Sequence, residues 1–327
     1  MLEIPRMLLK IIKNRKGTKE NDMDFNDLES MIADLEGIKS KEGSISSGDL
    51  SRERGKFRGN PIQRLNIREK LNLSPTLIKN MLEIRKSYQG LEKHPKKDEI
   101  SEKEIKILES KAEELEVNTL GYTRLRKDDI FLDKAVLYPN VIVFSIEMDK
   151  DDIEKAPSYD TLKMIEETYA LTGVVANELA TLLQDMGFGA QAGPGLGGLS
   201  IYPILAERSG IGTFGRNGII ITPENGPTHR LGVVYTNIKN LPTDKGRDHG
   251  WIKDLCKRCG KCIKSCPAEA IFEEPRETKG ENLAFIDSVK CGDYFADNYG
   301  CSVCIKVCPF NKVGYYKIKE NFLDAEE

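Results

Sequence analysis

Hydrophobic periodicity predicts most of the secondary structure in the middle of this chain. The highly charged segment 76–118 carries one apolar stripe at helical spacing and is predicted to be helical; the stripe comprises Ile105, Leu108, Ala112 and Leu115. Short apolar runs at 119–125 and 141–148 predict two strands. The second run is almost continuously apolar, which is typical of a strand that is covered on both faces.

A long helix is predicted over 158–186, with Gly187 ending it. Its core stripe is predicted to comprise Leu171, Val175, Leu179, Leu182 and Met186. A neighbouring stripe holds an aromatic residue followed by small ones, Tyr169, Gly173, Ala176 and Ala180. Small residues in a row allow a close approach, so this stripe is predicted to contact either another helix or a flat cofactor.

Two glycine-rich segments follow, at 189–200 and 209–218. The first segment lacks the Lys-Ser/Thr of a phosphate-binding loop, and its glycines do not form a G-x-G-x-x-G that follows a strand and leads into a helix, so a nucleotide-binding loop is not indicated there. Glycines instead allow the backbone to approach a ligand closely. After them, apolar runs at 219–222 and 231–236 flank a turn at 224–227 and predict a β-hairpin.

Composition narrows the class of protein. The chain has 327 residues, 31% of them charged, and a net charge of −3, so no overall field favours nucleic acid. Residues 1–17 are basic and partly apolar but too short to span a bilayer; we expect an amphipathic helix that packs on the body, with membrane contact as the less favoured alternative. We expect a cytoplasmic protein. Residues 39–60 are rich in serine, glycine and charge and predict a mobile loop.

All eight cysteines lie in the last third of the chain and carry its clearest chemistry. The first four read C-x2-C-x2-C-x3-C-P, the bacterial ferredoxin spacing, in which the fourth cysteine binds the neighbouring cluster. The other four end in C-x2-C-x3-C-P. We therefore predict two [4Fe–4S] clusters, the first held by Cys256, Cys259, Cys262 and Cys308, the second by Cys266, Cys291, Cys301 and Cys304. This spacing disfavours a zinc ribbon. A disulfide framework is disfavoured because residues 1–250 contain no cysteine and no secretory signal is visible.

From 114 to 238 the order of segments, together with the cysteine motifs, resembles the corrinoid- and iron–sulfur-dependent reductive dehalogenases, to which the epoxyqueuosine reductases are a sister family. The segment GRNGIIITPENGPTHRL (215–231) carries much of the likeness. The resemblance implies an α+β fold: a nitroreductase-like, corrinoid-binding core (101–245), a bacterial ferredoxin-like dicluster module (246–327), and a charged, largely helical N-terminal extension (1–100).

The same resemblance implies a reductive cleavage of a carbon–halogen or similar bond in a small-molecule substrate. Electrons would pass from a low-potential donor such as ferredoxin or flavodoxin through two clusters to cobalamin, with no nucleic-acid partner. Tyr169 matches the family's proton donor and Arg230 its basic partner, so Tyr169 is expected to face the largest pocket. Corrinoid-binding positions would be Gly193, Gly195, Gly197, Gly212, Arg216 and Asn217.

Two departures leave alternatives open. The loop GPGLGG (193–198) lacks the asparagine usual in dehalogenases, which favours an electron-transfer or accessory protein that has lost the corrinoid. Ser200 stands where epoxyqueuosine reductases carry their proton-donating aspartate, which disfavours a tRNA-modifying reductase.

Overall fold

The computed structural model describes residues 37–40, 60–91, 94–132, 134–243, 248–277 and 283–324. The predicted N-terminal helix at 1–17 and nearly all of the predicted loop at 39–60 lie outside these ranges. Up to residue 243 the elements are β1 (Ile38–Lys39), α1 (Ile67–Lys86), α2 (Glu102–Glu114), β2 (Thr119–Arg124), β3 (Ala135–Val136), β4 (Asn140–Glu147), α3 (Lys150–Glu154), α4 (Tyr159–Asp185), β5 (Ala190–Ala192), α5 (Tyr202–Arg208), β6 (Thr213–Phe214), β7 (Ile220–Ile221) and β8 (His229–Thr236).

A four-stranded antiparallel sheet of order β2-β4-β8-β5 organises the core. Alternate residues of β4 point to opposite faces: Val143 packs on the side of α5, whereas Ile142 and Phe144 pack on the side of α4 and α2. Every residue from 141 to 146 is buried. The prediction of a strand covered on both faces is therefore confirmed.

The long predicted helix is also confirmed. It is α4, which begins after Ser158, whose hydroxyl accepts a hydrogen bond from the Thr161 amide at 3.2 Å. Just beyond its end Gly187 adopts φ +94°, as a helix-ending glycine does. Of the predicted core stripe, Val175 and Leu179 are fully buried, and the other three positions are partly buried against the same core.

Two predicted elements are wrong. Segment 76–118 is not helical throughout, because α1 begins at Ile67 and ends at Lys86, and residues 87–101 are not helical. The left-handed Gly90 (φ +70°) lies in the break, and Ser101 caps the start of α2.

The predicted hairpin does not form, because β7 pairs with β6 whereas β8 pairs with β4 and β5. β8 carries apolar side chains towards both faces, Val233 to one and Val234 to the other, so it is most stable inside the large sheet.

The C-terminal part forms a ferredoxin-like module of short helices and one hairpin. Its elements are α6 (Trp251–Cys259), α7 (Lys261–Lys264), β9 (Ile271–Glu277), β10 (Leu283–Ile286), α8 (Ser288–Asp297), α9 (Val303–Lys306), α10 (Pro309–Lys312) and α11 (Tyr315–Asp324). β9 and β10 pair in antiparallel fashion. Within the described ranges, no helix has both the length and the apolar character needed to cross a membrane.

Candidate iron–sulfur and Tyr–Arg sites

The first predicted cluster site brings together cysteines from both motifs. Cys256 and Cys259 lie on α6, Cys262 lies on α7, and Cys308 directly precedes α10. These four cysteines line one small cavity. Burial above all, with smaller contributions from the neighbouring thiols of the group, raises the pKa of the Cys308 thiol to about 12. Cys308 is thus close to a group that lies some 50 residues earlier.

The other four cysteines form a second group. Burial first, then the charges of Cys301 and Cys266, raise the pKa of Cys291 to about 11. Burial likewise raises the pKa of Cys304 to about 12, with contributions from Cys291, Cys301 and also Cys262 of the first group. The two groups are therefore neighbours.

The donor set fits two [4Fe–4S] clusters. A buried thiol resists deprotonation in an apolar setting, but iron binds the thiolate and supplies the compensating charge. In the described part of the chain, no three His, Cys, Asp or Glu side chains are arranged to hold a single metal ion. Four thiolates of one cluster bind four different iron atoms, so they need not converge on one point.

Tyr169 and Arg230 form a direct pair. Arg230 on β8 donates a hydrogen bond from Nη1 to the Tyr169 hydroxyl at 3.0 Å, and its guanidinium carbon lies 4.0 Å from the centre of the tyrosine ring. Arg230 Nη2 lies 3.6 Å from the sulfur of Met148, and its buried Nε has no hydrogen-bond partner. Tyr169 packs into the same apolar cluster as Cys304. The pair therefore lies beside the second cysteine group.

Glu166 is a site residue that sequence reasoning missed. It lies three residues before Tyr169, on the same side of α4, and it is buried. Asn80 of α1 donates a hydrogen bond to its carboxylate at 3.0 Å. Burial raises the pKa of Glu166, whereas the nearby charge of Arg230 and the Asn80 hydrogen bond lower it. The sequence did contain a signal for it: Glu166 and Tyr169 are three residues apart, which places their side chains on the same side of a helix.

The small-residue stripe of α4 is covered by protein. A Cβ added at Gly173 would lie 3.0 Å from Cβ of Glu83, which belongs to α1. Asn177 donates to the carbonyl and to the carboxylate of Glu83, each at 2.9 Å. A Cβ at Gly195 would overlap the carbonyl oxygen of Tyr169 and the amide nitrogen of Gly173. The stripe was predicted to contact either another helix or a flat cofactor. Gly173 contacts the helix α1 and also the glycine-rich loop.

Three of the four glycines predicted to bind a corrinoid lie where the chain packs closely. A Cβ at Gly193 would overlap Tyr202 and Val233, and one at Gly212 would overlap the backbone of Ile221. At Gly197, by contrast, a Cβ would meet nothing within 4 Å, although its φ of +77° favours glycine.

Arg216 and Asn217 lie at the ferredoxin-like module. Arg216 is buried and forms a salt bridge with the exposed Glu274 at 3.1 Å, and Asn217 donates to the carbonyl of Cys304 at 3.5 Å.

A cavity with a volume of about 520 Å³ lies between α5, β6 and the ferredoxin-like module. Tyr169 and Arg230 do not line it, nor do they line the smaller cavity among the first four cysteines. That Tyr169 faces the largest pocket stays a prediction. The glycine loop and α1 pack on α4 at Gly173, four residues along the helix from Tyr169.

Comparison with known proteins agrees with the cysteine chemistry. Residues 255–312 match the family of 4Fe–4S dicluster domains. The tetrachloroethene reductive dehalogenase of Desulfitobacterium hafniense is 34% identical over 187 residues, which cover 53% of this chain and 33% of that protein. The enzyme of the same name from Sulfurospirillum multivorans is 34% identical over 182 residues, covering 53% and 36%. Epoxyqueuosine reductase of Listeria monocytogenes is 33% identical over 117 residues, covering 33% and 29%.

The fold is also similar to solved structures. A reductive dehalogenase whose structure suggests a mechanism for B12-dependent dehalogenation aligns with a TM-score of 0.64 at 19% identity, covering 75% of this chain and 38% of that one. A catabolic reductive dehalogenase in complex with 3-bromo-4-hydroxybenzoic acid aligns with a TM-score of 0.58 at 19% identity, covering 66% and 33%. The chain spans about a third of the length of the curated relatives it matches. It is a mixed helix-and-sheet relative of the reductive dehalogenases, related also to the epoxyqueuosine reductases, and it carries a 4Fe–4S dicluster domain.

Proposed function

We propose that this chain is an iron–sulfur oxidoreductase of the reductive dehalogenase type, in which two [4Fe–4S] clusters deliver electrons and the Tyr169–Arg230 pair delivers a proton. The proposal rests on the hydrogen bond from Arg230 to the Tyr169 hydroxyl, which is 3.0 Å long and lies next to the second cysteine group. The reaction is the reductive cleavage of a carbon–halogen or similar carbon–heteroatom bond in a small molecule. A low-potential protein such as ferredoxin or flavodoxin would supply the electrons.

The chemistry assigned to this chain's own residues is proton delivery. Reductive cleavage leaves carbanion character on the substrate carbon, which a proton must quench. The phenol of Tyr169 donates that proton, and the guanidinium of Arg230 stabilises the phenolate that remains. Glu166, buried near Arg230, would partly balance the charge of the guanidinium.

The finer form of this proposal includes cobalamin on a nitroreductase-like core. Its support is the similarity to reductive dehalogenases, which include the one whose structure suggests a mechanism for B12-dependent dehalogenation. A bound corrinoid supplies a strongly reducing cobalt centre. Because α1 and the glycine loop pack on α4 close to Tyr169, we assign no step to the corrinoid in this chain.

A second candidate function is an electron relay that has lost the corrinoid and passes electrons to another protein. The packing of α1 and the glycine loop on Gly173 favours it. A tRNA-modifying reductase is disfavoured, because Ser200 is buried and its hydroxyl hydrogen-bonds to that of Tyr235 at 2.7 Å.

Cofactor analysis separates the two candidates. The protein would be produced in medium containing cobalamin, purified anaerobically, reconstituted with iron and sulfide, and extracted with acid for absorbance and mass analysis. Roughly one corrinoid per chain supports the finer proposal. If no corrinoid is found after reconstitution, the electron relay without corrinoid is the function that remains.

Substitution of Tyr169 tests the proton donor. With reduced viologen as electron source and a panel of halogenated aromatic acids, we expect Tyr169→Phe to keep both clusters and to lower turnover by about 10²–10⁴-fold. Tyr159→Phe is the matched control, because Tyr159 lies on the same helix and its hydroxyl donates to the Glu69 carbonyl at 3.1 Å. Equal turnover in the two variants would exclude Tyr169 as the donor.

A further inference from the structure

The 520 Å³ cavity has the size of a site for a small ligand, and its walls come from both parts of the molecule. The core contributes α5, β6 and the turn at 126–129, and the ferredoxin-like module contributes α6, β9 and β10. Neither Tyr169 nor Arg230 lines it. The proposed proton-delivery chemistry therefore does not use this cavity.

The apolar part of the wall suits a flat aromatic ring. Phe214 of β6 and Phe285 of β10 stack with their ring centres 4.7 Å apart and their planes inclined by 20°. Ile204, Pro275 and Leu283 also line the cavity. Aromatic and aliphatic walls of this kind bind the face of a planar ligand by stacking and by burial of apolar surface.

The polar part of the wall carries more positive than negative groups. The cations are Arg126, Arg208, Arg216, Lys253 and Lys257, and the carboxylates are Asp128, Asp129, Glu207 and Glu274. Lys253 pairs with Glu207 at 3.2 Å, and Lys257 pairs with Asp254 at 3.5 Å. Arg208 binds the buried Asp129 through two hydrogen bonds of 2.6 and 3.0 Å, which neutralises that carboxylate. Arg216 is 92% buried on its side chain, yet its carboxylate partner Glu274 is 75% exposed. A ligand anion can replace such an exposed carboxylate.

Cys256 connects this cavity with the first cysteine group. It lines both the 520 Å³ cavity and the small cavity among the four cysteines, as do Gly215 and Arg216. A ligand in the larger cavity therefore lies against a proposed cluster ligand. Electron exchange between such a ligand and the first cluster would need no intervening carrier.

We propose that this cavity binds a flavin mononucleotide, a planar aromatic phosphate, as the electron entrance to the first cluster. The isoalloxazine ring lies on the Phe214–Phe285 stack, and the phosphate takes the place of the exposed Glu274 carboxylate at Arg216. The direction of electron flow rests on the proposed function, because the Tyr169–Arg230 pair lies beside the second cysteine group.

The electron step balances between the two groups. The anionic flavin hydroquinone loses one electron and becomes the neutral semiquinone, without releasing a proton. The first cluster takes up that electron, changing from the [4Fe–4S]²⁺ to the [4Fe–4S]⁺ state. The reduced flavin is itself the reductant.

Calorimetric titration of the cluster-loaded full chain with flavin mononucleotide, under anaerobic conditions, tests the site. We expect one ligand per chain in the wild type. Riboflavin, which lacks the phosphate, is expected to bind about tenfold more weakly, because a charge-assisted contact is lost. Phe285→Ala is expected to weaken flavin mononucleotide binding by about tenfold, through loss of the stacked ring.

The matched control is Phe272→Ala. Phe272 lies on the neighbouring strand β9, with its ring under Arg276, and it does not line the cavity. Iron content, measured for each variant, shows that the clusters are retained. Lack of flavin binding to the wild type, or equal weakening by Phe285→Ala and Phe272→Ala, would overturn the proposal.

A second readout does not depend on affinity. Reduced flavin mononucleotide mixed with oxidised wild-type protein is expected to give the electron paramagnetic resonance signal of a reduced cluster, and Phe285→Ala is expected to diminish it. These measurements use no substrate, so the two proposals are tested independently. Absence of flavin binding would not bear on the effect of Tyr169→Phe on turnover, and unchanged turnover in Tyr169→Phe would not bear on flavin binding.

Discussion

At the scale of single residues, two polar sites next to each other in the fold matter: the Tyr169–Arg230 pair for the proposed chemistry and the buried His229 for stability. Tyr169 and Arg230 lie 61 positions apart in sequence and come together in a hydrogen bond. His229, next to Arg230, points elsewhere: its Nδ1 lies 3.0 Å from the Gly226 carbonyl and its ring is buried. His229 is the first residue of β8, and this contact joins its ring to the turn that precedes the strand.

The burial of His229 predicts a dependence of stability on pH. Desolvation lowers its pKa to about 4, below the usual value near 6.5, so the unfolded state binds a proton that the folded state does not. The stabilisation is fully present above pH 6.5 and is lost as pH falls from there towards 4, by up to about 3 kcal/mol. We expect His229→Asn to weaken the fall in thermal midpoint between pH 7.5 and pH 5.

The exposed His94 provides the control for this measurement. His94→Asn is expected to leave the pH dependence of the midpoint as it is in the wild type. A midpoint that falls equally for wild type and His229→Asn would contradict a buried neutral His229.

At the scale of secondary-structure elements, the glycine-rich loop and α1 close the surface of α4 near Tyr169. Gly195 touches the backbone of Tyr169 and Gly173, and Glu83 of α1 packs on Gly173 from the other helix. Asn80 and Asn177 join the two helices through side-chain hydrogen bonds to Glu166 and Glu83. These contacts hold the two helices together and cover the small-residue stripe of α4 at Gly173.

Gly195→Ala tests how closely the loop is packed. The added methyl would overlap backbone atoms, which cannot rotate away, so we expect the free energy of unfolding to fall by about 1–3 kcal/mol. The measurement is the thermal midpoint of the cluster-loaded protein, which should drop by several degrees.

Gly292→Ala serves as the control, because a Cβ there meets nothing within 4 Å and Gly292 lies inside helix α8. Its midpoint should stay unchanged or rise slightly, since alanine favours a helix more than glycine does. A Gly195→Ala variant as stable as Gly292→Ala would show that the loop can move away from α4.

At the scale of the whole molecule, the two cysteine groups connect the two ends of a potential electron path. The first group borders the 520 Å³ cavity through Cys256, and the second borders Tyr169 through Cys304. Cys262 of the first group acts electrostatically on Cys304 of the second, so the groups are neighbours. The electron path would therefore pass through the ferredoxin-like module and end at the core.

Replacement of Cys308 and of Cys266 by serine, one at a time, tests the two predicted ligand sets. The wild type is expected to hold about eight iron and about eight sulfide ions per chain, with interacting paramagnetic signals after reduction. We expect Cys308→Ser to impair the first cluster and Cys266→Ser the second, although each cysteine belongs to the other local motif. Iron analysis and the spectrum of the remaining cluster identify which one is lost. Damage confined to the local motif in each variant would exclude the crossed ligand sets.

The sequence by itself determined the features that depend on neighbouring residues. The periodicity of 158–186 and the apolar runs at 119–125 and 141–148 predicted α4, β2 and β4, because helix and strand patterns repeat over a few residues. Cysteine spacing likewise indicated a dicluster domain, because short ligand helices place thiols around a cluster by local geometry.

Only the tertiary structure decided which segments meet. The pairing of β8 with β4 instead of β7, the contact of α1 with Gly173, the approach of Asn80 to Glu166 and the cavity beside Cys256 all join residues far apart in sequence. Local patterns carry no information about such contacts, because the free energy of burial depends on how whole elements fill the space between them. Fit or misfit of a cofactor beside Tyr169 is likewise a property of the packed fold.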